Sequence, residues 1–222
     1  MSSPREIKNL LYEQVARIGK AVSSPKRLEL VELLCQGEKT VETLAQQAEL
    51  DVKSTSAHLK ELKAARLVRA RKEGKYVYHR LADDGVAAFW VALRSAAEAR
   101  LAELQTVVRQ FLSDPEQLAP VDRAAILGRA RQGQAVVIDV RPGEEYAVGH
   151  LPFARSIPLA ELRRRLAELP RRKQIVAYCR GPFCMMAKDA VALLRQKGFN
   201  AVRLEDGVAE WRSAGFPVES GA

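Results

Sequence analysis

Residues 40–81 read TVETLAQQAELDVKSTSAHLKELKAARLVRARKEGKYVYHRL. Thr40 offers a hydroxyl just ahead of Val41, Leu44 and Ala48, whose spacing predicts a short capped helix. Asp51 caps the next run, which extends to about Ala64. On a helical wheel Val52, Thr55, Leu59 and Leu62 share one side, where they would pack on other helices. Lys53, Ser54, Ala57 and Lys60 face the other way, flanked by Ser56 and His58. Small hydroxyls and lysines on an exposed helix suit the DNA major groove, where bulky side chains would hold the backbone off. Leu67–Arg71 and Lys75–Leu81 then alternate roughly, with Lys72-Glu73-Gly74 between them, which predicts a β-hairpin. Its tip, Arg71, Lys72, Glu73, Gly74 and Lys75, would lie along neighbouring phosphates.

Upstream, Ile7, Leu11, Val15, Ile18 and Val22 make one apolar helical stripe. Ser23-Ser24-Pro25 supplies the start of a second helix through Leu28, Val31 and Leu34, which Gly37 ends. Downstream, one long helix is expected from Asp83 to about Leu112. Its stripe is Val86, Phe89, Trp90, Leu93, Ala97, Leu101, Leu104, Val108 and Phe111. That stripe is longer than a monomeric domain can cover, so with the first helix it is expected to form a two-fold interface. Ser113-Asp114-Pro115 breaks the pattern. Residues 1–112 are thus read as one mostly helical domain, 113–119 as a short linker and 120–222 as a second domain.

Charge agrees with this division of labour. The 222 residues carry 36 Lys and Arg against 27 Asp and Glu, a formal charge of +9. Residues 51–80 hold nine basic and three acidic side chains, and such a local cluster points to a polyanionic partner. At 47% hydrophobic and 28% charged the chain is neither disordered nor collagen-like. It has no apolar run of the ~20 residues that cross a bilayer and no secretory-type N-terminus, so a cytoplasmic protein is expected. Three cysteines are too few, and too odd a number, for a disulfide framework.

In the second domain Ala135–Val140, Gln174–Tyr178 and Ala201–Leu204 are short strand-like runs, and an amphipathic helix is expected over Met186–Lys197. Strands alternating with helices imply an α/β domain with a mostly parallel sheet. The chemistry sits after QIVAY (174–178), in Cys179-Arg180-Gly181-Pro182-Phe183-Cys184-Met185. A Cys at a strand end before a helix is expected to lie among backbone N–H groups, which lowers its pKa and holds an anion at the sulfur.

SSPKRLELVELL (23–34) and the 40–81 stretch resemble the ArsR family of winged-helix regulators, including its Ser-x-x-Ser-x-His-Leu-like motif at Ser54–Leu59. The resemblance implies operator DNA as partner, read by Lys53, Ser54, Ser56, Ala57, His58, Lys60, Arg71, Lys72 and Lys75. It also implies a homodimer through the first and last helices of this domain. Thr40 and Glu42 occupy the positions where metal-sensing relatives place a Cys pair. His79, Asp83 and Asp84 lack the partners of a second site, so no metal is implied. Cys35 reads as a small buried hydrophobe.

IDVRPGEEYAVGHLPFARSIPL (138–159) and EDGVAEWRSAGFPV (205–218) flank the Cys loop and resemble rhodanese signatures. They do so through Asp139, Arg141, Tyr146, Gly149, His150, Ala154, Ile157 and Pro158, and through Gly207, Trp211, Gly215 and Pro217. The resemblance implies that Cys179 accepts sulfane sulfur as a persulfide within a loop that includes Arg180 and Gly181. Arg141 would brace the loop or draw in an anionic donor, with Asp139 fixing it. His150 and Trp211 are framework residues on this reading. Cys184 stands where many rhodaneses place a basic residue, and it is either structural or a resolving thiol. Met185 stands where phosphatase-like relatives need Arg, which argues against an oxyanion clamp.

These features predict a transcriptional regulator that handles or senses sulfane sulfur supplied by small donors, with no cofactor and no membrane partner. Two alternatives stay open. One is a sulfurtransferase enzyme whose helical half serves dimerisation and localisation; the other is a rhodanese fold used only for binding.

Overall fold

The computed structural model describes residues 3–112, 117–119 and 122–221. The expected linker at 113–119 therefore lies largely outside the described residues. The chain forms two compact units, Met1–Trp90 and Val91–Ala222.

The first unit contains α1 (Pro4–Val22), α2 (Pro25–Leu34), β1 (Lys39–Thr40), α3 (Val41–Gln47), α4 (Val52–Ala64), β2 (Val68–Glu73) and β3 (Tyr76–Leu81). It also holds the first part of α5 (Asp84–Arg100). Thr40 caps α3 by accepting from the Thr43 amide at 3.2 Å, and Asp51 caps α4 by accepting from Ser54 N–H at 2.8 Å. Leu30, Leu33 and Leu34 of α2, Leu44 of α3, Leu59 and Leu62 of α4, and Val86 and Trp90 of α5 close one core. Burying each large side chain is worth about 1.5–3 kcal/mol. The buried Thr55 hydroxyl donates to the Asp51 carbonyl at 2.9 Å, which lets a polar group enter that core. Val52, assigned to the packed side from its spacing, is instead 48% exposed: it is the first residue of α4, directly after the Asp51 cap, and the packed stripe begins one turn later at Thr55.

The wing is antiparallel and has three strands in the order β1-β3-β2, with Lys39 opposite His79 and Val68 opposite Leu81. The turn lies at Gly74-Lys75, so Lys72 and Glu73 belong to β2 and not to the loop. The two-residue β1 has no sequence signature of its own.

The second unit takes the remainder of α5 and then α6 (Ala102–Phe111), α7 (Arg123–Arg131), β4 (Ala135–Asp139), α8 (Gly143–Val148) and β5 (Arg155–Ser156). It continues with α9 (Leu159–Leu162), β6 (Gln174–Tyr178), α10 (Met186–Gln196), β7 (Ala201–Arg203) and α11 (Val208–Ser213). The single helix expected over Asp83–Leu112 is broken at Leu101, whose backbone is extended (φ −97°, ψ 105°). The Gln105 side chain donates through Nε2 to the Glu98 carbonyl at 2.8 Å, satisfying a group that the break leaves open. Apolar spacing runs through this break unchanged, so the periodicity gives no sign of it.

The four strands lie parallel in the order β5-β4-β6-β7, with Val137 opposite Val176 and Ile175 opposite Ala201. Strand alternation sorts the side chains. Val136, Ile138, Ile175, Ala177 and Cys179 face α10, against Ala187, Ala190, Val191 and Leu194. Ala135, Val137, Val176 and Tyr178 face the other way, against Ile126, Val208 and Trp211. Cys179 thus leaves the C-terminal end of a central strand on the α10 side, the place where open α/β sheets present their sites.

Candidate functional site

The sulfur loop joins β6 to α10. Cys179 is 2% exposed, and its thiol donates to the Cys184 carbonyl at 3.5 Å. Each of the two thiols alters the other's acidity. Burial, and then the neighbouring Cys184 thiol, push the Cys179 pKa well above the usual thiol value, although the amides of Ala187 and Gly181 oppose the shift. Cys184 is only half-buried, and its pKa is drawn down to about 6. The neighbouring Cys179 thiol is the main cause, followed by the amides of Arg180 and Met186 and the Arg180 charge, all working against burial. The amide cradle expected around one sulfur is therefore shared by two. The thiol with the lowered pKa is Cys184, because Cys179 sits deeper, against the core.

Strand register brings Asp139 and Arg141 together behind this loop. Arg141 donates through its backbone N–H and Nε to Asp139 Oδ1 at 3.0 Å each, and its guanidinium reaches the Gly149 carbonyl at 2.7 Å. Tyr178, opposite Asp139 in the sheet, donates its hydroxyl to Asp139 Oδ2 at 2.6 Å. All three are buried, and Arg141 is 1% exposed. Arg180 pairs with the buried carboxylate of Glu145 at 2.8 Å.

Gly181 and Gly207 set the loop's shape. Gly181 adopts φ +152°, and a Cβ there would stand 3.3 Å from both Glu210 carboxylate oxygens and 3.5 Å from the Arg94 guanidinium. A Cβ on Gly207 would stand 2.4 Å from the Arg180 carbonyl oxygen, so only glycine lets α11 begin directly on the loop backbone. His150 is buried and stacks on Tyr146 with ring centroids 3.7 Å apart, and Trp211 is 1% exposed.

Sequence reasoning did not single out Glu145, Arg94 or Glu210. Glu145 and Glu210 lie inside the rhodanese-like stretches, but nothing in the pattern marks a buried carboxylate.

In the first unit α4 exposes Lys53, Ser56, Ala57 and Lys60, with Ser54 and His58 partly covered. The Ser54 hydroxyl is engaged by Asp51 Oδ2 at 2.6 Å. On the wing Lys72 and Lys75 are exposed. Arg71 is committed to Glu38 at 2.6 Å, pairs also with Glu73, and lies 4.7 Å over the Tyr78 ring. Arg69 and Arg80 stand opposite each other in the hairpin, both exposed, and neither was singled out from the sequence. Like charges in that relation cost stability unless an anion lies beside them, which is the signal that finds them.

A winged helix-turn-helix followed by a rhodanese-fold domain with a two-cysteine loop is the class that this geometry defines. The family described as "Bacterial regulatory protein, arsR family" matches residues 24–70, and "Rhodanese-like domain" matches residues 123–214. The chain is 43% identical over 222 residues to the "HTH-type transcriptional regulator Rv0324" of Mycobacterium tuberculosis, covering 100% of this chain and 97% of that protein. A "Sulfurtransferase" of Allochromatium vinosum is 31% identical over 84 residues, 37% of this chain and 77% of that one. The solution structure of a homodimeric winged helix-turn-helix DNA-binding domain (fragment 1–100) from Mycobacterium bovis is 37% identical. It covers 46% of this chain and 95% of that one, with a TM-score of 0.43. The chain belongs to the ArsR family of bacterial regulators and carries a C-terminal rhodanese domain. Among the described residues no helix is long and apolar enough to cross a membrane.

Proposed function

We propose that this regulator binds operator DNA as a homodimer and changes its affinity when sulfane sulfur loads the Cys179–Cys184 loop. On this reading the DNA face comprises Lys53, Ser54, Ser56, Ala57, His58 and Lys60 of α4, with Arg69, Lys72, Lys75 and Arg80 on the wing and Arg71 bracing its base. The dimer forms through α1, whose Ile7, Leu10, Leu11, Tyr12 and Val15 are each between 49% and 68% exposed.

The observation that carries the sulfur reading is the placing of two cysteines in the one loop between β6 and α10, with Cys179 Sγ 3.5 Å from the Cys184 carbonyl. The Cys184 thiolate, acting as a base, takes the proton of the Cys179 thiol, which leaves Cys179 as the nucleophilic thiolate. That thiolate attacks the outer sulfur of a persulfide or polysulfide donor. The donor's S–S bond breaks, and its electron pair leaves on the remaining thiolate. Cys179 then carries a persulfide, whose negative charge the amides of Gly181 and Ala187 stabilise. If the Cys184 thiol then passes its proton to the outer sulfur and attacks the inner one, the persulfide S–S bond breaks, hydrosulfide leaves with the electron pair, and a Cys179–Cys184 disulfide remains. Asp139, Arg141, Tyr178, Arg180 and Glu145 hold the loop's footing rather than touching sulfur.

The test is operator affinity before and after polysulfide, with mass spectrometry on the loop peptide; the DNA fragment is enriched on the protein from a genomic library. A change in affinity that tracks a gain of about 32 Da per sulfur supports the reading. Sulfur loading with unchanged affinity leaves a sulfurtransferase.

A further inference from the structure

Arg94 is a buried cation that the regulator's surface chemistry does not use. It sits on α5, 4% exposed, and donates to Glu210 Oε1 at 2.6 Å with both partners buried. Glu98, one turn on, lies 3.4 Å from its Nε. The second Glu210 oxygen accepts the Gly207 N–H at 2.7 Å. Gly207 in turn rests on the backbone of Cys179 and Arg180, and Gly181 lies against both Glu210 oxygens and the Arg94 guanidinium. Arg94 also lies 5.7 Å over the ring of Phe183, inside the loop. Two buried charges, one amide and two glycines thus form a contiguous path from α5 to the sulfur loop. The same helix contributes Val86 and Trp90 to the core of the DNA-binding unit.

We infer that Arg94 and Glu210 are positioning residues for the Cys179–Cys184 loop, and that α5 is the element through which the state of that loop reaches the DNA-binding unit. The second half of this inference rests on the sulfur-responsive reading above. A loop rebuilt around a persulfide or a disulfide moves Gly181 and Phe183, the groups that line the Arg94 guanidinium. Each partner of this ion pair is only 4% exposed, so displacing one disturbs the charge of the other, and Arg94 carries that disturbance onto α5. Two sites count as coupled only where both bias one element, and α5 is the element named.

The experiment uses the full chain and the double variant Arg94→Met with Glu210→Gln, which keeps an acceptor for Gly207 and removes both charges of the buried pair, leaving only the partly exposed Glu98 without its cation. Arg94→Lys is the conservative control. The first readout is the pH midpoint of Cys184 alkylation. In the native protein it is expected near pH 6, set in part by loop amides held in place. It should rise in the double variant and return most of the way in Arg94→Lys. The second readout is the polysulfide-induced change in operator affinity. It should shrink by about tenfold in the double variant, within the usual range for coupled sites, while affinity without polysulfide holds.

An unchanged Cys184 midpoint overturns the positioning role. A raised midpoint with a full polysulfide response overturns transmission through α5. A native protein that loads sulfur and shows no change in DNA affinity overturns the sulfur-responsive reading and transmission with it, and the Cys184 midpoint alone then decides the positioning role.

Discussion

The Tyr178 hydroxyl donates to Asp139 Oδ2 at 2.6 Å across adjacent parallel strands, and Tyr178 immediately precedes the loop cysteine. The same hydroxyl accepts the Leu151 amide at 3.1 Å. Cys179 therefore departs from a strand end fixed on one face by a tyrosine–carboxylate–arginine network and on the other by α10.

Asp139→Asn should destabilise the rhodanese unit by about 3–5 kcal/mol, because it leaves the Arg141 charge buried without its counter-ion. Tyr178→Phe should cost about 1–3 kcal/mol, since it strands an acceptor and an amide. Hydrogen exchange at the β4 and β6 amides reads these losses locally. Equal protection in the native protein and Asp139→Asn would show that the network is not a structural anchor.

The two loop cysteines should titrate very differently. Cys184 should react with iodoacetamide with a midpoint near pH 6, whereas Cys179 stays protonated through neutrality. Because the Cys179 thiol is the main support of the Cys184 thiolate, Cys179→Ala should move the Cys184 midpoint upward. Peptide-resolved alkylation from pH 4 to pH 10 checks this against the ordinary thiol range of about 8–9. A midpoint that does not change in Cys179→Ala would mean that the two sulfurs are not coupled.

Local signals made most of the fold legible. The caps at Thr40 and Asp51, the β-branched runs before Asp139 and Cys179, and the glycines at 181 and 207 each act within a few residues of the structure they dictate. What could not be read were relations set by the tertiary fold. Nothing near Leu101 announces the break in the helix, and two-residue β1 exists only because β3 offers it an edge. Buried pairs such as Arg180–Glu145 and Arg94–Glu210 join residues 35 and 116 positions apart, beyond any periodicity. How acidity divides between the two thiols could not be read for the same reason. The motif places amides around Cys179, but only the packed structure shows that burial outweighs them there and not at Cys184.

The wing lysines should act through phosphates rather than bases. Lys75→Ala should weaken binding to every DNA sequence alike and lower the slope of log K against log salt by about one unit. Arg71→Ala should instead act through the wing's shape, because its guanidinium is held by Glu38 and Glu73. Titrations at several salt concentrations separate the two. An unchanged slope in a Lys53/Lys75 double alanine variant would show that DNA meets another face.

Dimer formation should depend on α1. Trp90, part of the stripe from which a two-fold interface was expected, is buried in its own unit and would report unfolding if changed. Leu11 and Tyr12 are 63% and 65% exposed, so Leu11→Asp should give folded monomers. Losing one of two linked half-site contacts should weaken operator binding by about a hundredfold. Sedimentation at micromolar concentration measures the first effect and a binding titration the second.

Acid should weaken the winged-helix unit through His79. This residue is half-buried in β3, and burial, then the nearby Lys63 charge, hold its pKa below 6.5, against the Val77 backbone and the Glu42 and Glu38 charges. The unfolded chain, whose histidine titrates near 6.5, binds the proton more readily than the folded one. Above that pH neither state carries the proton, and His79 has no effect on stability. As the pH falls from 6.5 towards the folded-state value, the unfolded chain gains protons first and stability drops. Below the folded value both states are protonated and the loss stops growing. His79→Gln removes the titration and should flatten this part of the profile. Urea midpoints between pH 5 and pH 8, followed by Trp90 fluorescence in a Trp211→Phe background, test it. The expected result is a native midpoint that falls towards pH 5 and a variant midpoint that falls less; parallel profiles would place the acid sensitivity elsewhere.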